Sequence, residues 1–176
     1  IGIIGENMVF EKNKDVSIIE KLGFASCRLS LAIPREEIYT GPEYFMNKKV
    51  ATSYPKVLSD FFKKNNITAE IEEISGSVEI APGIGLADAI CDIVSSGSTL
   101  LTNGLHEVET ILKSQAVIIG NKHLSSEKQE ILAKLLFRIR AVKNAKENKY
   151  ILLNAPESAI QKICSILPGM KSPTIV

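Results

Sequence analysis

A short apolar run, Ala89–Val94 (AICDIV), leads directly into a loop of serines, glycine and threonine at residues 95–99 (SSGST). The run is shorter than a typical helix, and its turn-rich flanks are typical of a buried strand. Leu100 and Leu101 then restore apolar character, which indicates that the loop opens a helix. Because a turn between a strand and a helix gathers free backbone N–H groups around an anion, the sequence predicts a phosphate-binding loop.

Asp92 places a charge inside this apolar run, three residues before the loop. A buried carboxylate is costly unless polar groups partner it, and a ligand with hydroxyl groups would supply them. The alternative is that nearby backbone N–H groups satisfy Asp92. Asp88 falls on the same side of the chain, where it either joins the site or bonds to backbone. Together, Asp92 and the loop predict a site for a ribose 5-phosphate.

Composition narrows the class of protein. The chain has 176 residues, 45% hydrophobic and 23% charged, which suffices for one medium domain or two small lobes. Its formal charge of +1 argues against nucleic acid or a membrane surface as a partner. No apolar run approaches the roughly 18 residues of a membrane span and no signal peptide is visible, so we expect a cytoplasmic protein. We expect the three cysteines to be reduced core thiols, and two histidines argue against a zinc site.

Strand and helix patterns alternate along the chain, which predicts an α/β fold. The predicted strands are residues 1–4, 27–33, 49–52, 67–74, 89–94, 107–112, 116–119 and 150–153. Besides the helix after the loop, helices are predicted from Pro55, Ser126 and Glu157. The second of these three has an apolar stripe made of Ile131, Leu132, Leu135, Leu136, Ile139 and Val142. Residues 5–7 are predicted to form a turn.

The order of these patterns predicts two lobes with a binding cleft between them. We assign residues 1–46 to part of lobe 1 and a hinge within 35–46, 47–120 to lobe 2 with the phosphate loop, 121–166 to a return to lobe 1, and 167–176 to a linker. The chain opens within a predicted buried strand, IGIIG, without a methionine. We therefore expect a fragment whose upstream strands are absent.

Three sequence strings carry a resemblance to a known family. SGSVEIAPGIGLADAICDIVSSGSTLLTNGLHEVE, VATSYP upstream and LPGMKSPT at the end closely resemble ATP phosphoribosyltransferase, which performs the first step of histidine biosynthesis. The likeness extends along nearly the whole chain. It implies a two-lobed fold like that of type II periplasmic binding proteins, with phosphoribosyl pyrophosphate and ATP meeting in the cleft. The ending resembles the long form of the family, so an N-terminal region and a C-terminal regulatory domain would be absent here.

The resemblance also implies roles for individual residues. Asp92 would hold the ribose 2- and 3-hydroxyls, and the loop would cradle the 5-phosphate. Glu79 would face the pyrophosphate or its Mg²⁺, and Tyr54 would lie towards the nucleotide. The alternatives are a first-turn helix carboxylate for Glu79 and a rim aromatic with its hydroxyl in water for Tyr54. The loop residues concerned are Ser95, Ser96, Gly97, Ser98 and Thr99.

The implied reaction is a displacement at the anomeric carbon, in which N1 of the adenine of ATP attacks and pyrophosphate leaves. Positioning and charge neutralisation by Mg²⁺ would drive it without a protein nucleophile. The resemblance further implies a homo-oligomer, dimer or hexamer, inhibited by histidine through the C-terminal domain. Two alternatives remain: a non-catalytic two-lobed solute-binding protein, and a short-form enzyme that works with a separate regulatory subunit.

Overall fold

The computed structural model describes residues 1–147 and 151–166, and the chain divides into two compact units, Ile1–Leu124 and Ser125–Val176. The first unit mixes strands and helices, as the alternating patterns predict. Its strands are β1 Gly2–Gly5, β2 Ser17–Lys21, β3 Cys27–Pro34, β4 Lys49–Thr52, β5 Glu70–Glu73, β6 Ala89–Val94, β7 Leu105–Ser114 and β8 Ala116–Gly120. Its helices are α1 Glu6–Lys12, α2 Pro55–Lys64 and α3 Ser98–Thr102.

The strands of the first unit form two sheets. A three-stranded antiparallel sheet has the order β1-β8-β2, and a five-stranded sheet has the order β5-β4-β6-β3-β7. Within the larger sheet β4 is parallel to both β5 and β6, whereas β3 is antiparallel to β6 and β7. The apolar run AICDIV is therefore the central strand, which explains why it lacks the alternation of a half-exposed strand.

The chain crosses between the two sheets of the first unit at residues 22–26 and again at Gln115. The predicted hinge at 35–46 is wrong, because this connection joins β3 to β4 within one sheet. β3 itself belongs to the larger sheet, although we assigned its residues to lobe 1. A period-2 pattern identifies a strand but does not specify its partners, so sheet membership could not be read from the sequence.

Apolar side chains cover both faces of the larger sheet. Alternate residues of β3 point to opposite faces, so Leu29 and Leu31 join one buried cluster and Ala32 joins the other. Helix α2 packs on the first cluster through Leu58 and Phe62, which have the helical spacing seen in the sequence. The second cluster contains Ile90, Val94, Leu100 and Leu105, and it anchors α3.

The N-terminal segment differs from prediction in three respects. The turn predicted at residues 5–7 is wrong, because Gly5 ends β1 and Glu6 and Asn7 begin α1, whose seven residues are too few to show a helical period. The five-residue strand β2 was not predicted. β1 exists, but Ile1 and Ile3 are 60% and 57% exposed because β1 is an edge strand with one open face. The prediction of a buried strand is therefore wrong for these two residues.

The second unit contains the predicted long helix α4, Ser126–Glu147, and the short helix α5, Ile160–Ile166, which follows a 3-10 turn. Leu132 of the predicted stripe is buried, whereas Ile131, Leu135 and Val142 are exposed. None of the helices in the described part of the chain has the length and apolar character needed to cross a membrane.

One predicted strand of the second unit is absent. Residues 151–153 have no regular structure and are exposed, since no strand among the described residues pairs with them. Tyr150 and the predicted linker at 167–176 lie outside the described residues. Among the cysteines, Cys91 is buried and Cys27 is half-buried, but Cys164 on α5 is exposed, so the core-thiol prediction is wrong for Cys164.

Candidate active site

The predicted site residues gather where two parallel strands end. Tyr54 follows β4, while Asp92 lies on β6 shortly before the loop at 95–99. The register pairs Thr52 with Cys91, so the two strands end at the same edge of the sheet. Ligands of open α/β sheets bind at the carboxyl ends of parallel strands, and this edge is therefore the candidate site.

Asp92 is half-buried, and its carboxylate has few polar partners. Its Oδ1 accepts a hydrogen bond of 2.7 Å from the N–H of Ile93, the one hydrogen-bond partner of this side chain in the described part of the chain. Burial raises the pKa of Asp92, the Ile93 N–H opposes this, and the negative charge of Glu79 raises the pKa further. Backbone N–H groups therefore satisfy Asp92 only in part. A hydroxyl ligand or a cation would stabilise the charged carboxylate further.

Asp88 takes the backbone role and lies outside the site. Its Oδ2 accepts a hydrogen bond of 2.8 Å from the N–H of Lys49, and its own N–H donates to the Lys49 carbonyl at 2.8 Å. Lys49 is the first residue of β4, so Asp88 lies at the opposite end of the strand pair from Tyr54. It fixes the start of a strand rather than binding at the strand ends.

The predicted loop turns from β6 into α3 through Gly97, whose φ of +83° lies in the left-handed region that favours glycine. The hydroxyls of Ser96 and Ser98 are 2.9 Å apart, and both side chains are exposed together with Ser95 and Thr99. The N–H of Gly97 forms no hydrogen bond within the described residues. The loop therefore presents a free N–H, the first turn of a helix and several hydroxyls to solvent, as an anion site requires.

Glu79 lies close enough to Asp92 for its charge to affect the pKa of that carboxyl. It is half-buried in a 3-10 turn, Val78–Ile80, which the buried side chain of Val78 anchors to the sheet. Glu79 also occupies the first turn of that short helix, so the first-turn alternative describes its backbone position. The two roles are compatible, because a first-turn carboxylate can still face a ligand.

Tyr54 is tied to the N-terminal part of the chain. Its hydroxyl accepts a hydrogen bond of 3.0 Å from Nδ2 of Asn7. Burial raises the pKa of Tyr54, the Asn7 donor lowers it, and the charge of Asp92 raises it. The rim alternative expected this hydroxyl in water, but in the structure it is hydrogen-bonded to Asn7. Asn7 in turn donates its N–H to Oγ of Ser114 at 3.0 Å and accepts from that hydroxyl at 2.8 Å.

Sequence reasoning missed Asn7, Arg28 and Glu107, which support the site from other elements. Arg28 on β3 donates from Nη1 to the carbonyl of Ser95, the first loop residue, at 3.1 Å. Its Nε and Nη2 donate to the two carboxylate oxygens of Glu107 on β7, each at 2.5 Å. The available signal was the position of Arg28 on the polar side of an alternating strand, but its partner is 79 residues away.

The carboxylates of the site could bind Mg²⁺ only together with ligands that a substrate supplies. The described residues contain no group of three or more side chains that could form a metal cage. Glu79 nevertheless lies near enough to Asp92 for its negative charge to raise the pKa of that carboxyl. Mg²⁺ is commonly bound by one or two carboxylates together with substrate phosphates, so this donor set fits an ion that arrives with a phosphate ligand.

Comparison with known sequences gives a consistent result. The sequence model of ATP phosphoribosyltransferase matches residues 1–141, and a second, HisG, C-terminal domain, matches residues 145–176. The ATP phosphoribosyltransferase of Bacteroides thetaiotaomicron is 58% identical over 176 residues, which are 100% of this chain and 62% of that protein. The chain thus spans less than two thirds of the length of this relative.

Solved structures agree on the fold. The ATP phosphoribosyl transferase (HisG:HisZ) complex from Thermotoga maritima contains a chain that matches with a TM-score of 0.70 and 27% identity, covering 80% of this chain and 68% of that chain. A histidine kinase sensor domain with similarity to periplasmic binding proteins matches with a TM-score of 0.53 and 12% identity, covering 80% and 69%. The second match concerns the fold alone, and it confirms the predicted fold class, a fold like that of periplasmic binding proteins.

Proposed function

This chain belongs to the ATP phosphoribosyltransferase family, and from that membership we propose that the protein containing it transfers a phosphoribosyl group to N1 of ATP. The donor is phosphoribosyl pyrophosphate, and the products are phosphoribosyl-ATP and pyrophosphate, in the first step of histidine biosynthesis. The observation that carries the proposal is the half-buried carboxylate of Asp92 beside the exposed loop at 95–99. Fold alone would not separate this enzyme from a solute-binding protein.

Asp92 is proposed to accept hydrogen bonds from the ribose 2- and 3-hydroxyls. Burial leaves this carboxylate with a single backbone donor and a raised pKa. Two hydroxyl donors would complete its coordination and favour the charged form. The ribose would then be fixed next to the loop, with its 5-phosphate directed towards Gly97.

The loop is proposed to bind that 5-phosphate through the N–H groups of Gly97 and of the first turn of α3, together with the hydroxyls of Ser95, Ser96, Ser98 and Thr99. The dipole of a helix contributes about 0.3–1 kcal/mol at an exposed end. Because α3 has only five residues, charge-assisted hydrogen bonds would supply most of the binding free energy.

Glu79 is proposed to face the pyrophosphate end of the donor, and Tyr54 the nucleotide. Bound Mg²⁺ would neutralise charge on the departing pyrophosphate. Glu79 is the side chain that would share this ion with the substrate phosphates. Because the charge of Glu79 acts on Asp92, the two residues are neighbours, and the site would bring the anomeric carbon and the leaving group together.

The chain itself contributes orientation rather than a nucleophile. Cys91, the residue before Asp92, is fully buried, and burial raises the pKa of its thiol. The hydroxyl of Thr52, which pairs with Cys91 across the strands, donates to the Cys91 carbonyl at 2.6 Å and fixes the backbone at this point. We therefore propose direct attack of the adenine nitrogen, with the ribose held by Asp92 and the phosphate held by the loop.

The remaining parts of the proposal concern the whole protein. We propose a cytoplasmic homo-oligomer of the long form, inhibited by histidine through its C-terminal domain. The match of residues 145–176 to the C-terminal domain supports the long form. It also supports assigning 145–166 to the start of that domain instead of a return to lobe 1. A separate regulatory subunit is the alternative.

Titration of the full-length protein with phosphoribosyl pyrophosphate tests the site. We expect Asp92→Asn and Thr99→Val each to lose about tenfold or more in affinity, because each removes hydrogen bonds to a charged group. The matched controls are Asp88→Asn, at the opposite end of the strands, and Thr102→Val, whose hydroxyl bonds to the helix backbone. Unchanged affinity in both site variants, with their folding intact, would refute the assignment.

A further inference from the structure

Arg28 connects the larger sheet to the phosphate loop. In the antiparallel register Arg28 pairs with Val94, the last residue of β6, so it stands beside the point where the loop begins. Its Nη1 donates to the carbonyl oxygen of Ser95 at 3.1 Å. Ser95 is the first residue of the loop, and this bond therefore restrains the direction in which the loop leaves the sheet.

Glu107 fixes the guanidinium of Arg28. The two parallel hydrogen bonds of 2.5 Å form a fork that matches the planar carboxylate and defines the orientation of both groups. The Arg28 hydrogen bond is the main cause that lowers the pKa of Glu107, so the carboxylate is charged at neutral pH. Oγ1 of Thr110 donates to Glu107 at 3.3 Å and lies 3.3 Å from the hydroxyl of Ser30.

These polar groups share a face of the sheet with Asp92. Ser30 is the direct cross-strand partner of Asp92, and such partners place their side chains next to each other. Arg28 and Ser30 lie two residues apart on β3 and so point to the same face. Polar side chains therefore follow one another across this face of the sheet, from Glu107 on β7 through Arg28 and Ser30 on β3 to Asp92 on β6, next to the start of the loop.

Stability alone does not account for this arrangement. The side chains of Arg28 and Glu107 are 34% and 24% exposed, so solvent screens part of the attraction between their charges, and the bidentate geometry supplies the rest of the stabilisation. A bidentate pair also costs side-chain entropy, since it holds two long side chains in one geometry. The pair also holds Nη1 of Arg28 in position to donate to the Ser95 carbonyl.

We propose that Arg28 is a positioning residue that holds the loop at 95–99 in the geometry that binds the 5-phosphate, with Glu107 orienting Arg28. The proposal rests on the proposed function, because it takes phosphoribosyl pyrophosphate as the ligand of the loop. In the proposed function the loop binds the 5-phosphate of the donor, whereas Tyr54 faces the nucleotide. Arg28 therefore acts selectively on the affinity for the phosphoribosyl donor.

The test uses the full-length protein and titration with phosphoribosyl pyrophosphate in the absence of ATP, followed by steady-state kinetics. We expect Arg28→Met to weaken the affinity for phosphoribosyl pyrophosphate about tenfold, as for the loss of a charge-assisted hydrogen bond. KM for phosphoribosyl pyrophosphate rises in parallel, while kcat and KM for ATP stay unchanged. Arg28→Lys recovers part of the affinity, since Lys keeps the charge without the fork.

A double-mutant cycle separates positioning from a general structural role. Glu107→Gln alone weakens the affinity less than Arg28→Met, and it adds nothing in the Arg28→Met background, because Glu107 acts through Arg28. Lys49→Met is the matched control. It breaks an ion pair of 2.9 Å with Glu70 in the same sheet but away from the loop, and it leaves the affinity unchanged.

Additive effects in the cycle, or equal losses for phosphoribosyl pyrophosphate and ATP, would overturn the positioning role. A protein that binds phosphoribosyl pyrophosphate but forms no product would refute the transfer reaction, while the titrations would still decide the role of Arg28. A folded wild-type protein that fails to bind phosphoribosyl pyrophosphate would overturn both proposals.

Discussion

At the scale of single residues, Asp92 shows a conflict between stability and ligand binding. Its carboxylate is half-buried next to Glu79 and bonds to one backbone N–H. In the absence of ligand this arrangement favours the protonated form, which raises the pKa above the ordinary value of 3.8. The same unsatisfied charge is what a ribose or a cation would stabilise. Such strained polar groups are typical of functional sites.

Replacing Asp92 by Asn should therefore stabilise the ligand-free protein at neutral pH. A folded-state pKa above the unfolded value means that the wild-type protein loses stability as pH rises from about the ordinary pKa through the raised one. The Asn variant lacks this loss, so its Tm should exceed that of wild type at pH 7, and the difference should shrink as the pH falls towards 4. Thermal unfolding across this pH range is the measurement.

Asp88→Asn serves as the control for that experiment, because Asp88 bonds to the backbone at the start of β4, at the opposite end of the strands from Asp92 and the loop. A difference in Tm that does not change with pH, or an Asn variant less stable than wild type throughout, would contradict our interpretation of Asp92.

The sequence predicted the site residues that lie in one continuous stretch. It did not predict those that distant parts of the chain bring to the site. Asp92 and the loop at 95–99 form a contiguous pattern whose chemistry can be recognised without knowing the fold. Asn7 contacts Ser114, which lies 107 residues later, and Arg28 contacts Glu107 across 79 residues. Such pairs depend on strand order and register, and no local pattern encodes these.

At the scale of elements, the transition from β6 to α3 depends on one glycine. Gly97 has a φ of +83° and precedes the first residue of α3. A Cβ at this position would meet only the side chain of Val94 at 3.8 Å, an ordinary contact. Any effect of a substitution would therefore come from the backbone conformation and not from crowding.

We expect Gly97→Ala to cost about 1–2 kcal/mol, the strain of the left-handed conformation for a residue with a Cβ, and to weaken the affinity for phosphoribosyl pyrophosphate. Gly83→Ala is the matched control, because Gly83 lies in a nearby loop without a positive φ. Urea unfolding and ligand titration give the two quantities. Equal free energies of unfolding for the two variants would contradict the role of the left-handed turn.

Helix α2 obtains its N-terminal cap from another helix. Tyr54, the residue before Pro55, provides no side-chain cap. Glu11 on α1 instead accepts hydrogen bonds from the N–H groups of Lys56 at 3.1 Å and Val57 at 3.0 Å. A carboxylate at this end also interacts favourably with the helix dipole. The sequence predicted the start of α2 from Pro55, but the cap lies 45 residues earlier and was not predictable.

Glu11→Ala should lower the free energy of unfolding by about 1 kcal/mol, the usual effect of losing an N-cap. Glu11→Gln keeps an oxygen acceptor and should lose less, since only the charge and one acceptor are removed. Chemical denaturation of the full-length protein measures both. An unchanged free energy of unfolding for Glu11→Ala would contradict the role of Glu11 as the cap of α2.

At the scale of the whole molecule, the first unit consists of two sheets. The chain passes from one sheet to the other twice, and hydrogen bonds from α1 to Tyr54 and to the start of α2 also connect them. Asn7 and Glu11 of α1 contact Tyr54 and the start of α2. The α/β class and most strands were predictable from period and turn residues, whereas the hinge was misplaced because sheet order is a property of the three-dimensional fold. The two-lobed fold like that of periplasmic binding proteins was expected from the resemblance to the family and not from strand and helix patterns.

The measurement that bears most directly on the proposed function is the formation of phosphoribosyl-ATP by the full-length protein. Purified protein would be mixed with ATP, phosphoribosyl pyrophosphate and Mg²⁺, and phosphoribosyl-ATP and pyrophosphate would be followed together. We predict that both products form in equal amounts, that omission of either substrate abolishes them, and that Asp92→Asn greatly reduces their rate. A folded protein that binds phosphoribosyl pyrophosphate but forms no phosphoribosyl-ATP would contradict the assignment and favour a binding role.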